Sequence, residues 1–167
     1  DEAMALADLV VVMQSGRIEQ TDHPREVFNA PANSFVAKFI GGHNVLSGVV
    51  RKVSGSSMFV EGPDDFRFDL GSQQSEVGTK LSYAIRTDAI KLSSPNTGDA
   101  KFGSVRAVIK ETEYAGSDVR VTLQATDGQE IVAVCKEADF YSHVWSTGDR
   151  VNASWERENI HTIGREE

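Results

Sequence analysis

The feature that most constrains this chain is a procession of short apolar runs at close spacing. "VLSGVVRKV", "SMFVE", "FRFDL", "LSYAI", "SVRAVIKE", "VRVTLQA", "EIVAVC" and "VNASW" follow one another between residues 45 and 155. They are rich in valine, isoleucine and aromatic residues, and they tend to the two-residue period of a half-buried strand. Turn signals separate several of them: "GPDD" after Glu61, "AGSD" before Val119 and "TDG" after Ala125. Many short strands joined by polar turns predict a small barrel or a pair of barrels, because closing a sheet removes its exposed edges. Barrels with an OB-like strand count fit this pattern. Trp145 and Trp155 read first as barrel filling.

Residues 1 to about 42 follow another rule. Asp1 to Asp8 is alanine-rich and favours helix, and "LVVVM" (Leu9 to Met13) is a continuous apolar run of strand length. Ser15-Gly16 reads as a hairpin turn with Arg17 to Gln20 as the return strand. Pro24 opens a helix with His23 as its cap and Glu26 placed to reach back. Pro31 and Asn33 open another, "SFVAKFI", which carries Phe35, Val36, Phe39 and Ile40 on one stripe and stops at Gly41 and Gly42. A fully apolar strand is normally an inner strand covered on both faces. Forty residues cannot supply that cover, so the expectation is a cut made inside a larger protein. The boundary falls at "IGGHN", giving domains at 1–42 and 43–167.

Charge and composition exclude several classes. The chain has 167 residues, 40% hydrophobic and 25% charged, with a net charge of -8, which repels phosphate backbones and anionic lipid. The barrel also lacks a basic groove with interleaved aromatics, so nucleic acid is not an expected partner. No segment approaches the roughly 18 apolar residues of a membrane span, and no secretory signal pattern opens the chain. Cys135 is the one cysteine and reads as a small half-buried thiol. The four histidines are dispersed, without the close pairing of a zinc site. No G-x-x-x-x-G-K-[ST] phosphate loop and no apolar run ending in paired acids occurs. No nucleophile elbow marks a serine either, so no catalytic or metal-ligating residue is assigned.

"DEAMALADLVVVMQSGRIEQ", "HPREVF" and "PANSFVAKFIG" closely resemble the end of the nucleotide-binding domain of ABC importer ATP-binding subunits, just after the switch histidine. Asp22 and His23 stand where that pattern has glycine and threonine. The remainder resembles the family's accessory OB-like module, the TOBE domain. "NVLSGVV" is similar to its first strand, "YAIRTDAIKLS" to its "IRPEDI.L" segment, and "GSVRAVIKETEYAGSDVRVTL" to its long hairpin. "GDRVNASWERENIHTI" is similar to its closing segment, with Thr87 and Arg157 in place of two prolines.

The resemblance implies a mainly β fold, an OB-like TOBE barrel preceded by a short helix-strand-helix remnant of an α/β ATPase domain. It implies no cofactor in this chain, and ATP with Mg in the longer parent, which couples hydrolysis to solute import. It implies as partners the rest of the ATPase domain, a second copy in a homodimer and membrane permeases, at the cytoplasmic face of the cell membrane. "FIGGHNVLSG" is more similar to the polyamine and iron branches than to the sugar branch, and polyamine is the expected solute. Val27, Phe28, Phe35, Val36 and Phe39 are expected to be partly uncovered and to take domain or dimer contacts. Arg86, Asp88, Glu113, Tyr114 and Gly116 form the candidate ligand or regulatory constellation. Arg86 can meet an anion or a partner carboxylate, and Gly116 can allow close backbone approach. The competing reading is a surface pair worth under about 1 kcal/mol and an ordinary turn. The competing function is a free-standing module that senses a small ligand or an oxyanion.

Overall fold

Two neighbouring residues with positive φ shape the start of the chain: Ser15 (φ 48°) and Gly16 (φ 80°) join β1 (Val10–Gln14) to β2 (Arg17–Asp22). Consecutive positive φ values match the right-handed twist of a two-residue hairpin. The computed structural model describes residues 2–54, 57–62, 67–69, 75–95 and 104–165. Helix α1 (Glu2–Leu6) precedes the hairpin, and α2 (Pro24–Asn29) and α3 (Ser34–Ile40) follow it. The Gln20 side chain fixes the loop between these two helices, donating to the Ala30 carbonyl at 3.1 Å and accepting from the Ala32 N–H at 2.9 Å.

The α3 cap is as expected: Asn33 Oδ1 accepts the Val36 N–H at 2.9 Å. The α2 cap is not. His23 holds the capping position without a side-chain bond to the helix, and its Nδ1 donates to the Asp8 carbonyl at 2.7 Å. Asp22, rather than Glu26, accepts the His23 N–H, at 3.0 Å. A ring recruited by the turn preceding β1 is no longer free to cap.

Val12, Val27 and Val36 form a small buried cluster, with Val10, Phe35 and Ile40 packed against it. This corrects the expectation for Val27 and Val36 among the five apolar residues expected to be partly uncovered. Val27 and Val36 are wholly buried, Phe28 and Phe35 are half-buried, and only Phe39 stands clear, 66% exposed. The uncovered apolar surface is carried instead by Phe39 with Leu6, Leu9, Val11, Met13 and Ile18. Thus β1 is covered on one face only, where its apolar sequence suits cover on two.

The remaining strands make two five-stranded sheets. The first holds β3 (His43–Ser54), β4 (Ser57–Glu61), β5 (Arg67–Asp69), β6 (Lys80–Arg86) and β12 (Ile160–Arg165), in the order β12-β6-β3-β4-β5. The second holds β7 (Lys91–Ser93), β8 (Ser104–Ala115), β9 (Asp118–Ala125), β10 (Glu130–Lys136) and β11 (Arg150–Ser154), in the order β10-β9-β8-β11-β7. All eight expected runs are strands. β7, β12 and a short helix α4 (Glu137–Ser142) were not foreseen from the pattern of runs, and the "GPDD" turn lies outside the described residues beyond Gly62. One continuous core joins the sheets, with Leu46, Val50, Tyr83 and Ile85 of the first meeting Ile109, Leu123, Ile131 and Val151 of the second. Trp155 lies in that core, and Trp145 packs half-buried against it.

The sheets are built alike. Each opens on a 12-residue strand, β3 or β8, with a bulge past its middle, between Val50 and Lys52 or between Ile109 and Glu111. Each admits its fourth strand through a glycine with positive φ, Gly78 (91°) or Gly148 (94°). The Gly78 N–H donates to the Val50 carbonyl at 2.7 Å, and the Gly148 N–H to the Ile109 carbonyl at 2.8 Å. A 3-10 turn follows each fourth strand, at Thr87–Ala89 and Arg157–Asn159, and the next strand crosses to the other sheet. So β7 pairs with β11, and β12 with β6. The barrel is a pair of half-barrels that have exchanged their fifth strands. Asn44, 5% exposed, links the sheets a second way: its amide donates to the Val132 carbonyl at 2.8 Å and accepts the Val132 N–H at 2.7 Å, as a paired strand would.

Candidate functional site

Arg86 ends β6 at the place where residues 2–42 meet the barrel. Its guanidinium forks onto Asp88, with Nε 2.9 Å from Oδ1 and Nη2 2.5 Å from Oδ2. The third nitrogen, Nη1, donates to Asn29 Oδ1 at 3.2 Å, at the end of α2. The guanidinium also lies over the Phe28 ring, 5.2 Å from its centroid, and Phe28 in turn meets the His43 ring at 5.0 Å. A planar guanidinium suits this arrangement, since it forks onto a carboxylate and stacks on an aromatic face at once. Cation–π contact of this kind is worth about 0.5–1 kcal/mol at an exposed site.

Three further contacts close the joint. His161 Nε2 donates to the Pro31 carbonyl at 3.1 Å, the Thr87 N–H donates to the Gly42 carbonyl at 2.9 Å, and Ala37 of α3 packs on Ala84, Ile163 and Val45. The electrostatics follow from these neighbours. The hydrogen bonds from Arg86 hold the Asp88 carboxyl below its usual range, and the same bonds raise Arg86. Burial lowers the His43 pKa, and the nearby charges of Arg86 and His161 act in the same direction. A small cleft of about 290 Å³ opens here, lined by Asn29, His43, Arg86, Glu158 and His161 among others.

A second cleft of about 560 Å³ lies on the other side of Asp88, lined by Cys135, Asp139, Phe140, His143 and Trp145 among others. His143 and Trp145 stack at 4.4 Å there. Burial, with Asp139 adding to it, pushes the Cys135 thiol up to about 11, which keeps it protonated near neutral pH and unreactive.

The structure does not bring the five residues of the expected constellation together. Arg86 and Asp88 sit at the joint. Glu113, Tyr114 and Gly116 lie at the exposed end of the β8–β9 hairpin, where Glu113 pairs with Arg120 and Tyr114 with Val119. The clefts that hold Arg86 and Asp88 are lined by other residues. Gly116 (φ 75°) makes the turn, with nothing within 4 Å of a built Cβ, so no close backbone approach requires it. Sequence reasoning missed Asn29, Pro31, His43 and His161 as partners of this site. Arg86 and Asn29 are 57 residues apart, and His161 and Pro31 are 130 apart, separations that no local spacing reveals.

Among the described residues, no helix is long and apolar enough to cross a membrane, and no group of three or more His, Cys, Asp or Glu can hold a metal ion. The sequence contains no G-x-x-x-x-G-K-[ST] phosphate loop.

Residues 83–163 match the TOBE domain family. Across 164 residues the chain is 30% identical to the spermidine/putrescine import ATP-binding protein PotA of Thermobifida fusca, covering 97% of this chain and 42% of that protein. It is 29% identical over 167 residues to the protein of the same name from Rubrobacter xylanophilus, covering 98% and 43%. The chain therefore spans about two fifths of the length of these relatives. In fold it is similar to a solved structure of the cytoplasmic molybdate-binding protein ModG, with TM-score 0.62 and 16% identity, over 71% of this chain and 94% of that one. Residues 83–163 thus carry the TOBE domain match, and nearly the whole chain is similar to two fifths of these import ATP-binding proteins, consistent with the C-terminal part of an ABC importer ATP-binding subunit.

Proposed function

We propose that this chain is the regulatory, C-terminal part of an ABC importer's ATP-binding subunit, and that residues 2–42 are the element through which the TOBE barrel is held to the ATPase core. In the complete subunit, ATP with Mg drives solute uptake. The solute is a polyamine, in keeping with the names of the relatives. The subunit works as a homodimer beneath membrane permeases at the inner face of the cell membrane, and the barrel tunes that cycle.

The observation that carries this reading is the joint itself. One face of the β1–β2 hairpin presents Val11, Met13 and Ile18 outward, and Phe39 of α3 is exposed as well, while Arg86, Phe28, Asn29, His161 and Pro31 tie the segment to the barrel. A small element that is apolar outside and bonded inside is suited to carry movement between two larger bodies.

The test uses the complete subunit assembled with its permeases in vesicles, measuring spermidine uptake and ATP hydrolysis together. Arg86→Ala is expected to change the number of ATP molecules consumed per solute by severalfold while nucleotide binding stays within twofold. A coupling ratio unchanged in both Arg86→Ala and Phe28→Ala overturns the proposal.

A further inference from the structure

Strand β8 outruns its neighbour. It has 12 residues, yet β11 pairs only with Ser104 to Val108. At Ile109 the Asp149 carbonyl accepts the N–H at 2.9 Å, and the Gly148 N–H donates to the carbonyl at 2.8 Å. Past the bulge that follows, Glu111 to Ala115 have β9 on one side and, among the described residues, no strand on the other. Lys110 to Gly116 are all exposed. The opposite edge of the same sheet, β10, is closed by Asn44 through both polar groups of Val132.

Turn chemistry fixes what this open edge offers. Gly116 (φ 75°) and Ser117 form a two-residue turn, so Ala115 and Asp118 exchange the closing hydrogen bonds, and alternation makes Glu113 and Arg120 the next bonded pair. Thr112 and Tyr114 therefore turn their N–H and carbonyl groups outward. The bulge accounts for the phase, since it moves the outward positions from odd residues at Ile109 to even ones at Thr112. Side chains then decide which strand can pair there. Thr112 and Tyr114 lie on the face of the buried Val121 and Val119, with Tyr114 61% exposed, and Glu111 and Glu113 lie on the other face. Among the described residues, neither glutamate forms an ion pair, and nor does Arg120 beside them. A second copy is a poor occupant. A two-fold axis at Thr112 sets Glu111 opposite Glu113 twice, and one at Glu113 sets that residue opposite itself, where like charges destabilise the pair. An axis at Tyr114 leaves one bonded pair before the turn. The same carboxylates favour a strand with Lys or Arg at alternate positions.

We infer that the β8 edge at Glu111–Ala115 docks an extended, basic segment of another protein, added antiparallel alongside β8. Its backbone bonds the outward groups of Thr112 and Tyr114. Its cations lie opposite Glu111 and Glu113, and the residues between them lie against Thr112 and the Tyr114 ring. Main-chain bonds supply the affinity, and the two carboxylates select the partner and exclude self-pairing. The inference does not depend on the importer reading, because none of these groups takes part in the Arg86 joint.

The test titrates the 167-residue chain with the peptide acetyl-TVKVKVT-amide, following amide chemical shifts and hydrogen exchange. The Thr112 and Tyr114 amides are expected to shift most and to exchange at least tenfold more slowly when the peptide is bound, while the Glu113 and Ala115 amides, already bonded to β9, change less than twofold. Affinity is expected to fall at least tenfold for the peptide N-methylated at its valines, which lacks the edge-facing donors, and for acetyl-TVEVEVT-amide. Glu111→Lys/Glu113→Lys should reverse the preference between the basic and acidic peptides. Thr112→Pro, which removes an outward N–H at a position where an edge strand accepts proline, should abolish binding. Melting curves check that each variant is folded, and the N-methylated peptide tests the edge without altering the protein. No binding, equal binding of the basic and acidic peptides, or full binding of the N-methylated one overturns the inference. So does sedimentation of the free chain as a dimer that Thr112→Pro dissociates, which would make a second copy the occupant.

Discussion

The leading segment and the barrel solve the same burial problem at different scales. In residues 2–42 only Val12, Val27 and Val36 make a buried cluster, whereas the barrel's core runs unbroken from Leu46 to Trp155 across both sheets. A three-residue cluster removes too little apolar surface from water to offset the ordering of forty residues at about 1–2 kcal/mol each for the backbone. The barrel is self-supporting in this sense, and the segment is not. It borrows order from the barrel through the Arg86 joint and the Ala37 contact, and its outer apolar face is still open to a partner. Local opening should therefore begin in the segment, at a free energy well below that of global unfolding.

The sharpest way to test that contrast is to damage each core. Leu123→Ala, at a fully buried position of β9 in the core that joins the sheets, is expected to cost about 2–5 kcal/mol of global stability, read by urea denaturation. Val36→Ala removes about 2 kcal/mol of local burial. Its expected signature is faster hydrogen exchange in β1, β2 and α2, with barrel amides unchanged; equal acceleration everywhere would show the two regions to be one cooperative unit. Asn44→Ala leaves the Val132 N–H and carbonyl without their partner and should cost about 1–3 kcal/mol, with the Val132 amide losing protection.

Acid provides a gentler probe of the joint. His43 has a lowered pKa when folded, so its contribution is present above the unfolded value near 6.5 and is lost as pH falls toward the lower folded value. Asp88 is also depressed, so its contribution is present above about 3.9 and is lost as pH falls through its folded value. Segment amides should therefore exchange faster, relative to barrel amides, below about pH 6.5, with a second loss below about pH 4. His43→Gln should abolish the first step. If it persists in that variant, His43 is not its source.

Local chemistry made much of the fold readable in advance. Ser15-Gly16 named its turn, Asn33 its cap, and the valine-rich runs their strands, because each signal is complete within a few residues. β7 has three residues and α4 six, too few for a period to register. The internal repeat is present in the sequence, since Gly78 and Gly148 each precede an isoleucine by 12 positions, at Ile90 and Ile160. Few identities accompany that spacing, so the backbone geometry shows the repeat more clearly than the letters do. The joint was half legible. Arg86 and Asp88 stand two apart and announce a pair, but Phe28, Asn29 and His161 reach them only after the sheets close. Val27 and Val36 were misplaced for a related reason: an apolar stripe states that a face needs cover, not which neighbour provides it.

The crossing of the fifth strands sets an order of events during synthesis. The first sheet has its β3–β6 pair as soon as residue 86 has left the ribosome, yet its outer partner β12 arrives only with residues 160–165. At about 5–20 residues per second the nascent half-barrel waits for several seconds or more with one edge unpaired. During that interval a neighbouring chain on the same message can offer the missing strand. The open edge is therefore a liability of synthesis rather than of the finished molecule.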